Sequence, residues 1–336
     1  MNSVVLGMSG GVDSAAAAII LRDKGYDTIA LYFDVLNEEN TDAKLRAENT
    51  AKSLGITFIT KNVSSEFEKN IIEPFCLQYT HGRTPIPCVF CNPLIKFKTL
   101  ADSNSDYIAT GHYARIKEID GRFYVSKAAN TSKDQSYMLA RLPQEILCRT
   151  IFPLGEFDSK EDVRKLVAEK GLAISSEKDS QDICFIKGSY KEFLKERGVK
   201  SAKGNFISPE GKILGQNDGI ANYTVGQRKG IGIALGIPAF VSEIRSETGD
   251  VVLTSNESDL YKSEVSVENL MVNGKLDDKN YQVKLRYAAK ACDCRIIQKN
   301  DTAKLYFEDA QRAPTPGQAA VIYDGDIVIA SGIIYN

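Results

Sequence analysis

Three thiols stand where chemistry is within reach. Cys88 and Cys91 form a Cys-x-x-Cys pair inside the proline-rich stretch His81-Gly82-Arg83-Thr84-Pro85-Ile86-Pro87-Cys88-Val89-Phe90-Cys91-Asn92. That spacing serves metal ligation and thiolate chemistry alike. Asn92 and Pro93 read as the N-cap and first residue of a helix running to about Leu100. Cys91 is then expected immediately before a helix N-terminus, where the dipole together with Arg83, Lys96 and Lys98 would favour the thiolate. Cys184 comes after the polar run Lys178-Asp179-Ser180-Gln181-Asp182. A lone cysteine among apolar neighbours is ordinarily core, but that polar run argues for a loop rising to the surface. Cys76 and Cys148 read as core, and Cys292-x-Cys294 as structural.

A second chemistry is written near the start of the chain. Val4-Val5-Leu6 reads as a buried strand, Gly7-Met8-Ser9-Gly10-Gly11 as a small-residue turn, and Ala15 to Leu21 as a buried helix. Strand, glycine turn and helix N-terminus together make a cradle of N–H groups for a phosphate, with no lysine required. Neither G-x-x-x-x-G-K-[ST] nor G-x-G-x-x-G is present, so this is neither a Walker A loop nor a dinucleotide fingerprint.

Composition bounds the rest. The 336 residues are enough for two or three domains. Hydrophobic content of 43% and charged content of 26% are those of an ordinary soluble protein. No apolar run approaches the ~20 residues needed to span a bilayer. The chain enters its first strand directly, so no signal peptide and a cytoplasmic location are expected. In a reducing compartment seven cysteines are not a disulfide framework; they are core, metal-binding or catalytic. A net charge of −2 gives no global nucleic-acid signature, so any such contact must come from local basic patches.

Alternating strands and helices must position these groups. Strands at 27–35, 56–63 and 106–114 are separated by helices at 38–54 and 64–79, which predicts a parallel sheet covered on both faces. Pro74 should kink or interrupt the helix it lies in. Phe33 and Thr110-Gly111-His112-Tyr113 fall at strand ends, where a doubly wound sheet places its ligand. A hairpin turns at Asp120-Gly121, Lys133 to Tyr137 opens a helix, and Ser159 with Asp162 caps another that Gly171 closes. Gly198 marks a domain edge, and from about Lys203 glycine-rich hairpins replace helices. Residues 282–290 alternate, with Val283, Leu285, Tyr287 and Ala289 on one face and Lys284, Arg286 and Lys290 on the other. That is a half-buried strand with a basic outer face in a small barrel. The expected architecture is α/β: a doubly wound parallel-sheet domain over 1–200, a β-rich domain over 201–262 and a C-terminal β-barrel over 263–336.

Ser9-Gly10-Gly11-Val12-Asp13-Ser14 resembles the SGGxDS signature of the PP-loop ATP pyrophosphatases. RTPxPCxxCN at 83–92, KDSxxICFI at 178–186, TGHYAR at 110–115, KDQSYML at 133–139, YTVGQRKGIGI at 223–233 and APTPGQAAVIYDGDIV at 313–328 extend the resemblance over the whole chain. Together they resemble the tRNA-specific 2-thiouridylases, whose HUP-like fold matches the expected sheet. The resemblance implies ATP and Mg²⁺, adenylylation of the C2 oxygen of a wobble uridine, and sulfur delivery from a Cys184 persulfide with Cys91 as partner thiolate. It implies ATP contacts from Gly7, Met8, Ser9, Gly10, Gly11, Val12, Asp13, Ser14, Phe33 and Gly111, with Asp13 near Mg²⁺ through water. Ile86, Pro87 and Cys88 would line the target-base pocket. His112, Lys133, Asp134, Gln135, Arg286, Tyr287 and Gln318 would touch the anticodon region of tRNAs reading Lys, Glu and Gln codons. A cysteine desulfurase or sulfur-relay protein is the implied donor, and no membrane is involved. The family commonly has Met at the Phe33 position and Asn at the Ile86 position. Cys88 adds a third thiol, so a [4Fe–4S] cluster on Cys88, Cys91 and Cys184 is the rival mechanism. No other metal is expected, and another PP-loop ATP-dependent ligase is the alternative function.

Overall fold

The computed structural model describes residues 2–38, 41–172, 174 and 183–335. Residue contacts divide the chain into two units. The first comprises residues 1–71, 88–183 and 326–329, and the second residues 72–87, 184–325 and 330–336. Neither is one continuous segment, and the chain passes between them at Ile71/Ile72, Pro87/Cys88, Ile183/Cys184, Gly325/Asp326 and Ile329/Ala330.

The first unit is built on a parallel sheet in the order β3-β2-β1-β4-β7. Its strands are β1 (Ser3–Gly7), β2 (Asp27–Asp34), β3 (Thr57–Asn62), β4 (Tyr107–Thr110) and β7 (Thr150–Ile151). Val4, Val5 and Leu6 of the central strand are fully buried. Helix α1 (Val12–Asp23) buries Ala15 to Ala18 completely; four small side chains in a row let its backbone approach its neighbours closely. Helix α2 (Asp42–Leu54) starts at Thr41, whose hydroxyl accepts the Lys44 N–H, and ends at Gly55 in the left-handed region. Because β1 lies between β2 and β4, the sheet reverses its order there, and the crevice at the carboxyl ends of β1 and β4 is the ligand position of such a fold.

Two helical runs differ from expectation. The 64–79 helix is α3 (Ser64–Phe67), a π-helical turn at Glu68–Ile72 and α4 (Glu73–Thr80). Pro74 cannot donate to the ladder, and the wide turn before it absorbs the break without a bend into loop. The second run begins earlier than expected: α5 (Pro87–Cys91) continues through a π-helical turn at Asn92–Phe97 into α6 (Lys98–Ala101). Pro93 again lies in the wide turn, so it does not start a helix. Strand β4 also stops at Thr110, short of the expected 114.

The hairpin β5 (Arg115–Ile119) and β6 (Arg122–Ser126) turns at Asp120 and Gly121, both with positive φ, as the Asp-Gly pair requires. Its end is completed from far along the chain. Ile327 pairs with Ser126, the Lys127 N–H donates to the Asp326 carbonyl, and the Asp326 carboxylate lies 3.8 Å from the Lys127 ammonium. A short α7 (Gln144–Leu147) precedes β7, and α8 (Lys160–Glu169) is capped by Ser159, whose hydroxyl accepts the Asp162 N–H.

In the second unit α9 (Tyr190–Glu196) opens with a full capping box of Ser189 and Glu192. A small sheet comes next in the order β10-β11-β8-β9, from β8 (Asn205–Ile207), β9 (Ile213–Gln216), β10 (Phe240–Arg245) and β11 (Asp250–Thr254), around Phe206, Tyr223, Val241 and Val251. The C-terminal strands are β12 (Tyr261–Val272), β13 (Asn280–Lys284), β14 (Cys292–Lys299), β15 (Thr302–Arg312), β16 (Ala319–Asp324) and β17 (Ile327–Ile334). They run β12-β15-β14-β13-β16-β17 and close through β12–β17, giving the expected barrel with no free edge. The expected strand over 282–290 ends at Lys284, so the predicted basic face beyond it does not form. Cys294 faces the barrel interior opposite Tyr281, and burial pushes its thiol up to about 12, which suits a structural residue. Among the described residues no helix is long and apolar enough to cross a membrane.

Candidate active site

In the first unit the glycine turn leaves β1 at the switch point. Met8 is buried, and its N–H donates to the Leu31 carbonyl, which fixes where the turn departs. Gly10 has φ +76°, and a Cβ there would lie 2.1 Å from the Ala43 carbonyl oxygen. Both conformation and space therefore demand glycine. The Gly10 carbonyl accepts from Arg46 Nε. Gly11 is the N-cap of α1, and the Ser14 hydroxyl folds back on the Gly11 carbonyl at 2.9 Å. The helix N-terminus consequently opens toward the loop with no side-chain cap across it, as an anion site needs. Gly111, just past β4, presses against the same turn: a Cβ there would lie 2.8 Å from the Asp13 carbonyl carbon. The Phe33 ring closes the other side, 3.0 Å from where a Gly7 Cβ would be.

Asp13 is held on two sides. The Lys160 ammonium donates to both carboxylate oxygens, at 2.6 and 2.7 Å, and the Tyr113 hydroxyl donates to Oδ1 at 2.8 Å. Lys160 is only 8% exposed. Tyr113 is in turn clamped by Gln135: the Gln135 side-chain oxygen accepts the Tyr113 N–H, and the Gln135 N–H donates to the Tyr113 carbonyl. Sequence reasoning missed Lys160 altogether. The only signal was the Ser159–Asp162 cap, which fixes Lys160 in the first turn of α8 but does not say what that turn faces.

The neighbouring residues are equally committed. The Asp134 carboxylate accepts the Ala128 and Ser136 N–H groups and the Ser136 hydroxyl, so it shapes the 128–136 turn. His112 bonds Thr110 through Nδ1 at 2.8 Å and stacks on Phe97. Burial, and secondarily Lys96, pushes its pKa down to about 3, so the ring is neutral. Because that value lies below the unfolded one of 6.5, the burial contributes stability fully present above pH 6.5 and lost as pH falls toward 3. An NMR titration is expected to show His112 unprotonated down to at least pH 5.

Cys91 is not before a helix N-terminus, as the sequence suggested. It is the last residue of α5, buried, inside the continuous helical run. Asn92 is not a cap either; its amide donates to the Met138 carbonyl at 2.8 Å. The first turn of that run belongs to Cys88, which is half-buried. Among the described residues no group of three or more His, Cys, Asp or Glu side chains is placed to hold a metal ion.

In the second unit the segment carrying Ile86 and Pro87 is fixed against the barrel. The Thr84 N–H donates to the Pro316 carbonyl, the Gln318 amide donates to the Thr84 carbonyl at 2.7 Å, and Gly317 admits this approach because a Cβ would meet Thr84 backbone at 3.0 Å. Arg83 pairs with Glu268 at 2.6 Å. Arg286 donates to the Ala313 and Val225 carbonyls and to the Thr315 hydroxyl, tying the β-barrel to the glycine-rich loop. Tyr287 lies beside Lys284, the ammonium 5.7 Å from its ring centre. Gln318 and Arg286 thus hold loops in place, which sequence could not distinguish from holding a ligand.

Cys184 is exposed. The preceding run 178–182 lies outside the described residues. On its other side the chain is anchored: Phe185 is buried between Phe75, edge-on at 5.2 Å, and Phe193 at 5.3 Å. Tyr79 stacks on Tyr190 at 4.8 Å beside them. Phe185→Ala should destabilise this unit by about 3–5 kcal/mol, read as a lower midpoint in urea.

A parallel sheet whose glycine-rich anion loop leaves the switch point defines an α/β nucleotide-binding protein. The match to known families is of the same kind: residues 2–188 match the family described as tRNA methyl transferase HUP domain, 191–255 the tRNA methyl transferase PRC-barrel domain and 263–334 the aminomethyltransferase beta-barrel domain. The chain is 42% identical to the tRNA-specific 2-thiouridylase MnmA of Lachnoclostridium phytofermentans, over 99% of both chains. It is 41% identical to a Clostridium botulinum protein of that name and 39% identical to one from Clostridium perfringens, over 98% of each chain. This chain belongs to the tRNA-specific 2-thiouridylase family.

Proposed function

We propose that this chain is a tRNA-uridine 2-sulfurtransferase acting on the wobble uridine. The observation that carries the mechanism is Cys184, exposed on a packed aromatic base, in a chain whose other unit carries a loop shaped for an anion. ATP would lie along Gly7 to Ser14, with Phe33 and Gly111 closing the turn. One carboxylate with substrate phosphates and water is a donor set Mg²⁺ commonly takes, and Asp13 supplies it. The ion would neutralise phosphate charge.

The reaction needs a leaving group first. The C2 oxygen of uridine attacks the α-phosphorus of ATP, pyrophosphate departs, and C2 carries an adenylate. The terminal sulfur of a Cys184 persulfide then attacks C2, and AMP leaves with the C–O electron pair. The Cys91 thiolate attacks Sγ of Cys184, the S–S bond breaks, and its electron pair remains on the sulfur now bound to C2. The products are 2-thiouridine, AMP, pyrophosphate and a Cys91–Cys184 disulfide, which an external thiol reductant resets. Ile86, Pro87 and Cys88 would receive the base, with Lys133 and Tyr287 on the tRNA path. His112, Asp134, Gln135, Arg286 and Gln318 would serve that path by holding its loops. The donor would be a cysteine desulfurase or a relay protein, the tRNAs those reading Lys, Glu and Gln codons, and the compartment the cytoplasm. The division into 1–200, 201–262 and 263–336 assigns activation to the first segment.

The test is mass spectrometry of wobble nucleosides after incubation of purified protein with such a tRNA, ATP, Mg²⁺, a cysteine desulfurase and cysteine. 2-Thiouridine with AMP and pyrophosphate is the expected result; none under these conditions overturns the reading. Iron and acid-labile sulfide assayed on anaerobically purified protein checks the route: a preparation active only with about four irons per chain would replace the persulfide by a [4Fe–4S] cluster on Cys88, Cys91 and Cys184.

A further inference from the structure

A carboxylate in a phosphate-binding turn is electrostatically out of place. Asp13 lies next to Val12 in the first turn of α1, and its negative charge opposes any polyphosphate that enters the loop beside it. The loop itself contains no cation. Lys160 supplies one from a distant part of the chain, at 2.6 and 2.7 Å from the two carboxylate oxygens, and it is almost wholly buried. Ser159 caps α8 and fixes the backbone from which Lys160 projects. Tyr113 adds a neutral donor, itself clamped by Gln135.

We propose that Lys160 is a positioning residue of the nucleotide site: by pairing with Asp13 it cancels the charge that would repel a polyphosphate and fixes the carboxylate on the rim of the loop. The proposal rests on the reading of Gly7 to Ser14 as an ATP-binding turn. It makes the loop's anion affinity depend on the charge of the pair and not on Lys160 touching the anion. Removing Lys160 alone leaves an uncompensated carboxylate. Removing Asp13 alone leaves a buried cation facing the loop. Removing both restores neutrality, and a buried ion pair replaced as a whole is tolerated far better than one broken in half.

The experiment is isothermal calorimetry of inorganic pyrophosphate with the full chain in EDTA, so that no divalent ion contributes. The wild type should bind. Lys160→Met should bind at least about 30-fold more weakly, and Asp13→Asn/Lys160→Met should recover at least about tenfold of that loss, as expected for one close charge. Asp13→Asn should bind at least as tightly as wild type, which keeps the test decisive even where Lys160→Met does not fold. A merely structural lysine would lower the melting temperature but would not let Asp13→Asn restore binding. Failure of the double variant to recover, or weaker binding by Asp13→Asn, overturns the assignment of Lys160 while leaving the loop reading intact. A folded wild type that binds no pyrophosphate overturns both.

Discussion

Replacing Cys184 by Ser is expected to abolish 2-thiouridine formation, by about 10³-fold or more, while pyrophosphate release in the presence of tRNA continues. The reason is chemical. A serine oxygen cannot carry a sulfane sulfur, whereas adenylylation needs only ATP and the uridine oxygen. Because Cys184 is exposed, the substitution removes no core packing, and its melting temperature should match wild type. Cys91→Ser should stop turnover after the sulfur has reached C2, trapping tRNA covalently on Cys184. That adduct would run as a protein–tRNA band lost on addition of thiol. Continued multiple turnover by Cys184→Ser would remove the persulfide from the mechanism. Loss of pyrophosphate release in the same variant would instead show that the cysteine acts before activation.

Gly10→Ala should have a comparably large effect by a different route. The residue sits at φ +76°, which costs an L-residue roughly 1–2 kcal/mol. Its Cβ would also overlap the Ala43 carbonyl at 2.1 Å, so the turn must move away from α2. A displacement of about 1 Å in a positioning element can cost about 10²-fold, and kcat/KM for ATP is expected to fall by about that factor. Gly25→Ala is the control. Gly25 has φ +81° but nothing within 4 Å of a Cβ, so only the conformational strain applies and activity should persist. If Gly25→Ala loses activity to the same extent, backbone strain alone explains both and the close approach at Gly10 is irrelevant.

The legible parts of the sequence were periodic or punctuated. The strand–turn–helix of residues 4–21 could be read because an apolar run, glycines and an alanine helix succeed one another in an order with few alternatives. The hairpin at Asp120-Gly121 and the cap at Ser159 were fixed by residues with local conformational preferences. The helix around Cys91 was misread for a comparable reason: Asn92-Pro93 is a strong start signal, but the chain was already helical from Pro87, and a π-helical turn accommodates the proline. The strand assigned to 282–290 failed after Lys284 because Arg286 turns to meet Ala313, Val225 and Thr315, contacts far away in sequence. The partnership of Asp13 and Lys160 spans a separation no local pattern encodes. The same holds for Gln318 with Thr84. Residues that could equally bind a ligand or hold a loop look the same in a sequence.

The pairing of Ile327 with Ser126 has a temporal consequence. About two hundred residues separate the two strands. At roughly 5–20 residues per second, the β5–β6 hairpin waits on the order of 10–40 s after its own synthesis for the segment that completes it. The unit that holds the nucleotide loop therefore lacks one of its own segments until most of the barrel strands have been made. Residues 326–329 belong to that unit and are made about two hundred residues after the hairpin they complete. A nascent chain halted before Ile327 would carry the glycine loop in a unit still lacking the segment that pairs with Ser126.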